Sequence, residues 1–267
     1  MRVTALWRYP VKSMGGEQLE TVTVTASGVT GDRRWAVIDR SDGRVASAKY
    51  PRKWAALLDC RAETDGDGVR ITLPDGSTAC SGEPGVDALL SNYLARDVTL
   101  SEVVPEGASY EGDWPEGAIP DAVLRHVVTG QGDEGALTEL PLPSGSFLDV
   151  APLHLVSTGS LDAIGDVRRF RPNVVIAGGE DPFEENAWVG RTFAIGGAAA
   201  AVTMSTMRCV MTTLPQAELA RDRGVLRTLT ERNRLDIPGF GIWSCLGAYA
   251  TVAAPGQIRI GDAVSAG

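Results

Sequence analysis

Short runs of β-branched and apolar residues, each closed by a turn, recur every ten or so residues along this chain, and that rhythm constrains its fold more than any other feature. Residues 3–7, 20–25, 34–39 and 68–74 have strand character by alternation or β-branching. Ser41-Asp42-Gly43 and Pro74-Asp75-Gly76 supply the turn chemistry that closes two of them. The first two strands are separated by a loop bounded by Pro10 and by Gly15-Gly16. With 31 Gly and 15 Pro in 267 residues there is little room for long helices. Closely spaced strands of this kind predict a barrel or a sandwich.

Apolar positions 86, 89, 90 and 94 mark a short helix over 84–95. From about 104 the chain turns rich in Pro, Gly and acidic residues with weak periodicity, which predicts a long connection over 105–146. It divides an N-terminal β-rich domain, 1–104, from a second β-rich domain, 147–267. In the second, strands are expected near 154–157, 173–177, 191–195 and 200–214. A short helix is expected over 157–167, and a polar helix over 215–234 opened by Pro215 in its first turn. Residues 247–252 and 258–260 read as a closing hairpin across Pro255-Gly256. The fold class is α+β, mainly β.

A formal net charge of −9 and a sequence pI near 4.8 argue against nucleic acid as a partner. A small anion remains compatible wherever Lys and Arg cluster locally. The four cysteines, at 60, 80, 209 and 245, show no C-x-x-C spacing, so neither a disulfide scaffold nor a structural zinc site is expected. Two histidines, His126 and His154, are too few for a His-rich metal centre. Reduced thiols in a cytoplasmic protein are the plain expectation. The first ten residues lack the apolar core of a signal peptide. The uncharged stretch 192–207, interrupted by Gly196-Gly197, is too short and polar to cross a bilayer. No P-loop, G-x-S-x-G elbow or H-E-x-x-H motif is present.

Several residues admit a chemical reading beside an ordinary structural one. Cys209 is either a buried, inert strand thiol or a thiolate ligand or nucleophile. Arg208 beside it favours the thiolate, although neighbours along a strand face opposite sides. Lys12 and Ser13, with Asp32, Arg33 and Arg34, form either an anion cradle or solvated surface clusters. Arg171 and Asn173, on either side of Pro172, present a rigid fork and an amide to a polar heterocycle, or simply make a strand-entry turn. His154 is a core histidine or a ligand, and Asp149, five residues earlier, lines a site or begins a turn. The acidic residues over 180–185 do not match an EF-hand loop and read as solvated.

Taken in order, these motifs carry more than they do singly. The chain shows Trp7-Arg8-Tyr9-Pro10-Val11-Lys12-Ser13, then Gly31-Asp32-Arg33-Arg34-Trp35, then Phe170-Arg171-Pro172-Asn173. Arg208-Cys209-Val210-Met211-Thr212-Thr213 and Pro255-Gly256-Gln257-Ile258-Arg259-Ile260-Gly261-Asp262 follow. The series resembles the MOSC superfamily, and within it the amidoxime-reducing components and their bacterial counterparts, over nearly the whole chain. The resemblance implies a small N-terminal β-barrel-like domain followed by a MOSC-type β-barrel with short peripheral helices.

It also implies a molybdenum–pterin cofactor. Cys209 would coordinate the metal, Asp149 would lie near it at the catalytic centre, and Lys12, Ser13 and Arg33 would hold the pterin's terminal phosphate. Arg171, Asn173 and Arg208 would line the pterin, and Tyr249 occupies a further matching position. The implied activity is reductive N–O cleavage in small N-hydroxylated compounds. Neither an appended iron–sulfur domain nor a membrane anchor is expected, so electrons would come from a separate donor protein of ferredoxin or flavin type. Two other readings stay open: a sulfur carrier with a persulfide on Cys209, and a non-catalytic cofactor carrier.

Overall fold

The computed structural model describes all residues except 115–127, 133–134, 144 and 180, so His126 and Glu180 lie outside the described residues. Its largest sheet has nine strands. In spatial order these are Glu17–Leu19, Arg2–Arg8, Val174–Ala177, Leu153–Ser157, Gly241–Ala254, Ala198–Met207, Thr192–Ile195 and Val264–Ala266, with Arg234–Ile237 paired to the start of the long Gly241–Ala254 strand. The last strand returns to the first. Arg2 bridges Ala263, Val264 N donates to Met1 O at 2.9 Å, and Val3 N donates to Asp262 O at 2.9 Å. The sheet is therefore closed into a barrel, which removes its edges.

Alternation fills the interior. Val3, Leu6, Leu153, Leu155, Val174, Ile176, Phe193, Ala248 and Ala250 form one buried core. Val22 and Val24, the inward positions of strand Thr21–Thr25, join that core with Ile258. The Gly256–Arg259 strand pairs with Thr21–Thr25, so the expected closing hairpin with residues 247–252 does not form. Gly256 explains the departure: a Cβ there would stand 2.0 Å from Gly197 O, so the chain crosses tightly over the 196–197 turn and leaves its predecessor strand.

A second core gathers Val11, Met14, Val37, Trp54, Leu57, Ile71, Leu90 and Val98. Around it lie the three-stranded sheet Arg61–Asp65, Gly68–Thr72 and Thr78–Cys80, the pair Ala36–Asp39 and Val98–Ser101, and the helix Val86–Leu94. The stretch 105–146 carries three antiparallel strands, Ser109–Trp114, Val128–Gly132 and Gly135–Pro141. Tyr110 and Leu142 pack there against Ala36, Ile38 and Phe147. Its Pro- and Gly-rich sequence hides this order, because the strands are defined by their pairing register and not by a hydrophobic period.

Two elements near the candidate thiol differ from expectation. The strand Ala198–Met207 stops before Cys209, which opens a 3₁₀ turn, Val210–Thr213. The helix expected from Pro215 begins only at Gly224 and ends at Arg232. Arg169 accounts for this, donating to the carbonyls of Leu214 (3.0 Å) and Ala220 (2.5 Å), which a helix from Pro215 would consume internally, and to Thr212 O at 3.2 Å just before them. No helix among the described residues is long and apolar enough to cross a membrane.

Because Leu6 is buried in the barrel core beside residues more than 140 positions away, truncating it should weaken the whole barrel. Leu6→Ala is expected to lower unfolding free energy by about 2–5 kcal/mol in urea titration. A loss below about 1 kcal/mol would contradict the placement of the first strand.

Candidate functional site

The first strand belongs to the barrel, whereas Val11 and Met14 are buried in the second core, so the turn between them must cross the seam. Lys12 and Ser13 are consequently buried where the two cores meet, each about 4% exposed. Lys12 N donates to Trp35 O at 2.9 Å and Arg33 N to Tyr9 O at 2.8 Å, which fixes the crossing. A cavity of about 570 Å³ opens at this seam.

All nine residues that the family resemblance implicates line that one cavity, together with His154, whereas Asp32 and Arg34 of the candidate cradle do not. Six lining side chains are cationic and a single one, Asp149, is anionic among the described residues, although the protein as a whole carries −9. Ser13, Arg33 and Arg171 adopt left-handed backbone at φ 65°, 47° and 56°. Such conformations cost non-glycine residues roughly 1–2 kcal/mol each, and their concentration in one wall marks a site rather than ordinary packing.

Each cation is held differently. Arg33 donates to Asp32 at 2.5 Å and packs over the Tyr9 ring, as does Arg171, with guanidinium-to-centroid distances of 4.6 and 4.3 Å. One Arg171 nitrogen donates to Met14 O at 2.5 Å, while its Nη2 is buried without a hydrogen-bond partner. Burial and the charge of Arg33 push the Arg171 pKa down to about 10. Arg208 donates to Leu246 O through Nε at 2.9 Å, to Phe170 O at 3.0 Å, and to His154 Nε2 at 2.6 Å. Arg208 is thus a clamp on the surrounding backbone.

His154 must be neutral to accept that bond, and burial together with Arg208 holds its pKa well below the ordinary value. Gly247 makes the contact possible: it sits at φ 85°, and a Cβ there would approach His154 Nε2 to 2.4 Å. Tyr249, directly opposite His154 on the neighbouring strand, places its ring 5.7 Å away. Asn173 lines the cavity too, but its amide oxygen accepts from His154 N at 3.1 Å, which ties barrel strands together.

Asp149 joins two lysines. Lys12 contacts one carboxylate oxygen and Lys49 the other, the latter at 3.1 Å. Burial pushes the Asp149 pKa up, but the two ammonium groups outweigh it and hold the carboxyl well below the usual range. At neutral pH Asp149 is accordingly an acceptor and a fixed charge. Lys49 also donates to the Tyr110 hydroxyl at 3.0 Å. Cys209 is a free, half-buried thiol at the start of its 3₁₀ turn, so it and Arg208 both reach the cavity once the strand has ended.

Sequence reasoning missed Lys49, Tyr110 and Arg169. Lys49 follows no motif, Tyr110 lies in the stretch read as a connection, and Arg169 signals itself only through the carbonyls it meets in three dimensions. An apolar wall of Leu140, Leu142, Met211, Phe240 and Trp243 faces the cations.

Burial is the main influence on the Lys12 pKa, opposed by Asp149 and reinforced by Lys49, and the result lies at about 8. Lys12 is therefore charged below about pH 8 and neutral above it. Sulfate, which does not titrate in this range, should bind the cavity progressively more weakly between pH 7 and 9 by calorimetry. Lys12→Gln should bind sulfate more weakly with no step near 8. A flat profile for the unaltered protein would contradict the assignment.

A model of the MOSC N-terminal beta barrel domain matches residues 1–95, and a model of the MOSC domain matches residues 145–265. Mitochondrial amidoxime reducing component 2 of Bos taurus is 25% identical over 292 residues, covering 98% of this chain and 82% of the relative. Mitochondrial amidoxime-reducing component 1 of Mus musculus is 25% identical over 285 residues, covering 98% and 81%. The solved YUAD protein from Bacillus subtilis aligns over 99% of this chain and 94% of its own at 12% identity, with a TM-score of 0.39. With both domain models matched in this order, and each matched region contributing residues to the shared cavity, the chain belongs to the MOSC superfamily.

Proposed function

We propose that the seam cavity holds a molybdenum–pterin cofactor, with Cys209 as the metal's protein ligand, and that the protein reduces N-hydroxylated compounds using electrons from a separate donor protein. The observation that carries this reading is that a free thiol and six cations open onto one cavity in an otherwise acidic protein. The residues fit such a group on physical grounds. A soft thiolate suits a thiophilic metal. The cavity volume falls in the range of cofactor sites, and the orphaned Arg171 Nη2 is a buried donor lacking an acceptor. The names of the two mammalian relatives point to the same activity.

In this reading Lys12, Ser13 and Arg33 bind the terminal phosphate. The Ser13 hydroxyl oxygen already accepts from Ala48 N at 3.0 Å, which leaves its proton to donate. Arg171 lines the pterin with its unpaired nitrogen, and Asn173 and Tyr249 complete that wall. Arg208 acts mainly by fixing the carbonyls of Phe170 and Leu246 and the ring of His154. When bound, the cofactor supplies the two-electron reduction of the N–O bond. Asp149 stays ionised and orients Lys12 and Lys49, while the apolar wall excludes water and receives the body of the substrate.

The test compares the unaltered protein with Cys209→Ala, both made in a host that synthesises the cofactor. Elemental and pterin analysis should find molybdenum in the first and not in the second. Reduction of an N-hydroxylated substrate by a chemical electron donor should vanish with the metal. Turnover retained in Cys209→Ala would overturn the proposal. One added sulfur on Cys209, without molybdenum, would favour a persulfide carrier instead.

A further inference from the structure

Lys49 stands outside the residues implied by the family motifs, and its surroundings give it a distinct task. Its ammonium is held at 3.1 Å from Asp149 Oδ2 and 3.0 Å from the Tyr110 hydroxyl, and it lies 4.8 Å from that ring's centroid. An ammonium carries three hydrogens, so two fixed partners leave one to face the cavity. Lys49 and Cys209 both line that cavity.

The local charge balance makes Lys49 decisive. Asp149 cancels only one of the two lysines it touches. Arg208, next to Cys209, directs most of its donors to Leu246 O, Phe170 O and His154 rather than to a ligand. Remove Lys49, and Asp149 and Lys12 form a neutral pair, so the cluster no longer adds to the positive charge that Arg208 and Arg169 leave on the cavity.

We propose that Lys49 is a specificity-determining residue. Fixed by Asp149 and Tyr110, it gives the Cys209 end of the cavity a net positive charge that selects ligands presenting an anionic oxygen there. This deepens the proposed function by assigning the charge preference at its reactive end, but it concerns the protein's own residues and is tested without the cofactor.

Iodoacetate and iodoacetamide suit the test, because both alkylate a thiol with loss of iodide and differ chiefly in charge. Changes in the intrinsic reactivity of Cys209 cancel in the ratio of their rates, read at Cys209 by mass spectrometry so that the other thiols do not interfere. In cofactor-free protein, Lys49→Met is expected to lower the iodoacetate-to-iodoacetamide ratio roughly five- to tenfold at low salt. Lys49→Arg should restore it, and 0.5 M salt should compress the difference, since screening acts within about 5 Å at that strength. Asp149→Asn should move the ratio in the opposite direction, and it keeps the test decisive should loss of the buried ammonium prevent folding. A ratio that is the same in Lys49→Met and Asp149→Asn as in the unaltered protein would overturn the proposal, whether or not molybdenum is ever bound. Conversely, the expected ratios in a protein that never takes up molybdenum would uphold the role of Lys49 and fault the cofactor reading alone.

Discussion

The rest of the site depends on positive charge buried at a seam. Taking guanidinium and ammonium groups out of water costs several kcal/mol apiece unless polar partners replace the lost hydration. Here the partners are mostly backbone carbonyls: Phe170 and Leu246 for Arg208, Thr212, Leu214 and Ala220 for Arg169, and Met14 for Arg171. Carbonyl dipoles satisfy hydrogen bonds without cancelling charge. Two carboxylates, Asp32 and Asp149, offset only part of it. What remains is a positive, hydrogen-bond-donating cavity in an acidic protein, a place built to receive an anion.

Chain topology creates the seam. The first strand closes the barrel, and the next turn dives into a different core, which forces Lys12 and Ser13 between the two. Later segments arrive from the barrel side: Asp149 and His154 near the strand Leu153–Ser157, Arg171 and Asn173 just before Val174–Ala177, and Arg208 and Cys209 after Ala198–Met207. Residues separated by up to 237 positions in sequence, Lys12 and Tyr249, thereby share one wall. The left-handed backbone at Ser13, Arg33 and Arg171 is the local strain of aiming these side chains inward, and Gly247 supplies the close approach that lets His154 meet Arg208.

Much of this was legible in the sequence, for identifiable reasons. Strand rhythm and turn residues point to a mainly β chain, because both are local properties. Nine candidate residues can be named from ordered motifs, and all of them line one cavity. Non-local facts were hidden. Nothing near Gly256 announces that its strand will pair with Thr21–Thr25, and Pro215 reads as a helix start until Arg169 takes the carbonyls. Cys209 looked like a strand residue facing away from Arg208, but the strand ends at Met207. Lys49 and Tyr110 carry no motif, since their importance lies in partners that folding brings to them, Asp149 for Lys49 and Lys49 for Tyr110.

The most direct test of a shared cavity for charge and sulfur is X-ray absorption at the molybdenum edge, on protein loaded in a cofactor-competent host. With Cys209 as ligand, Cys209→Ser should either lose the metal or replace one sulfur scatterer in its first shell by oxygen. An unchanged sulfur count at full molybdenum occupancy would contradict the assignment of this thiol to the metal.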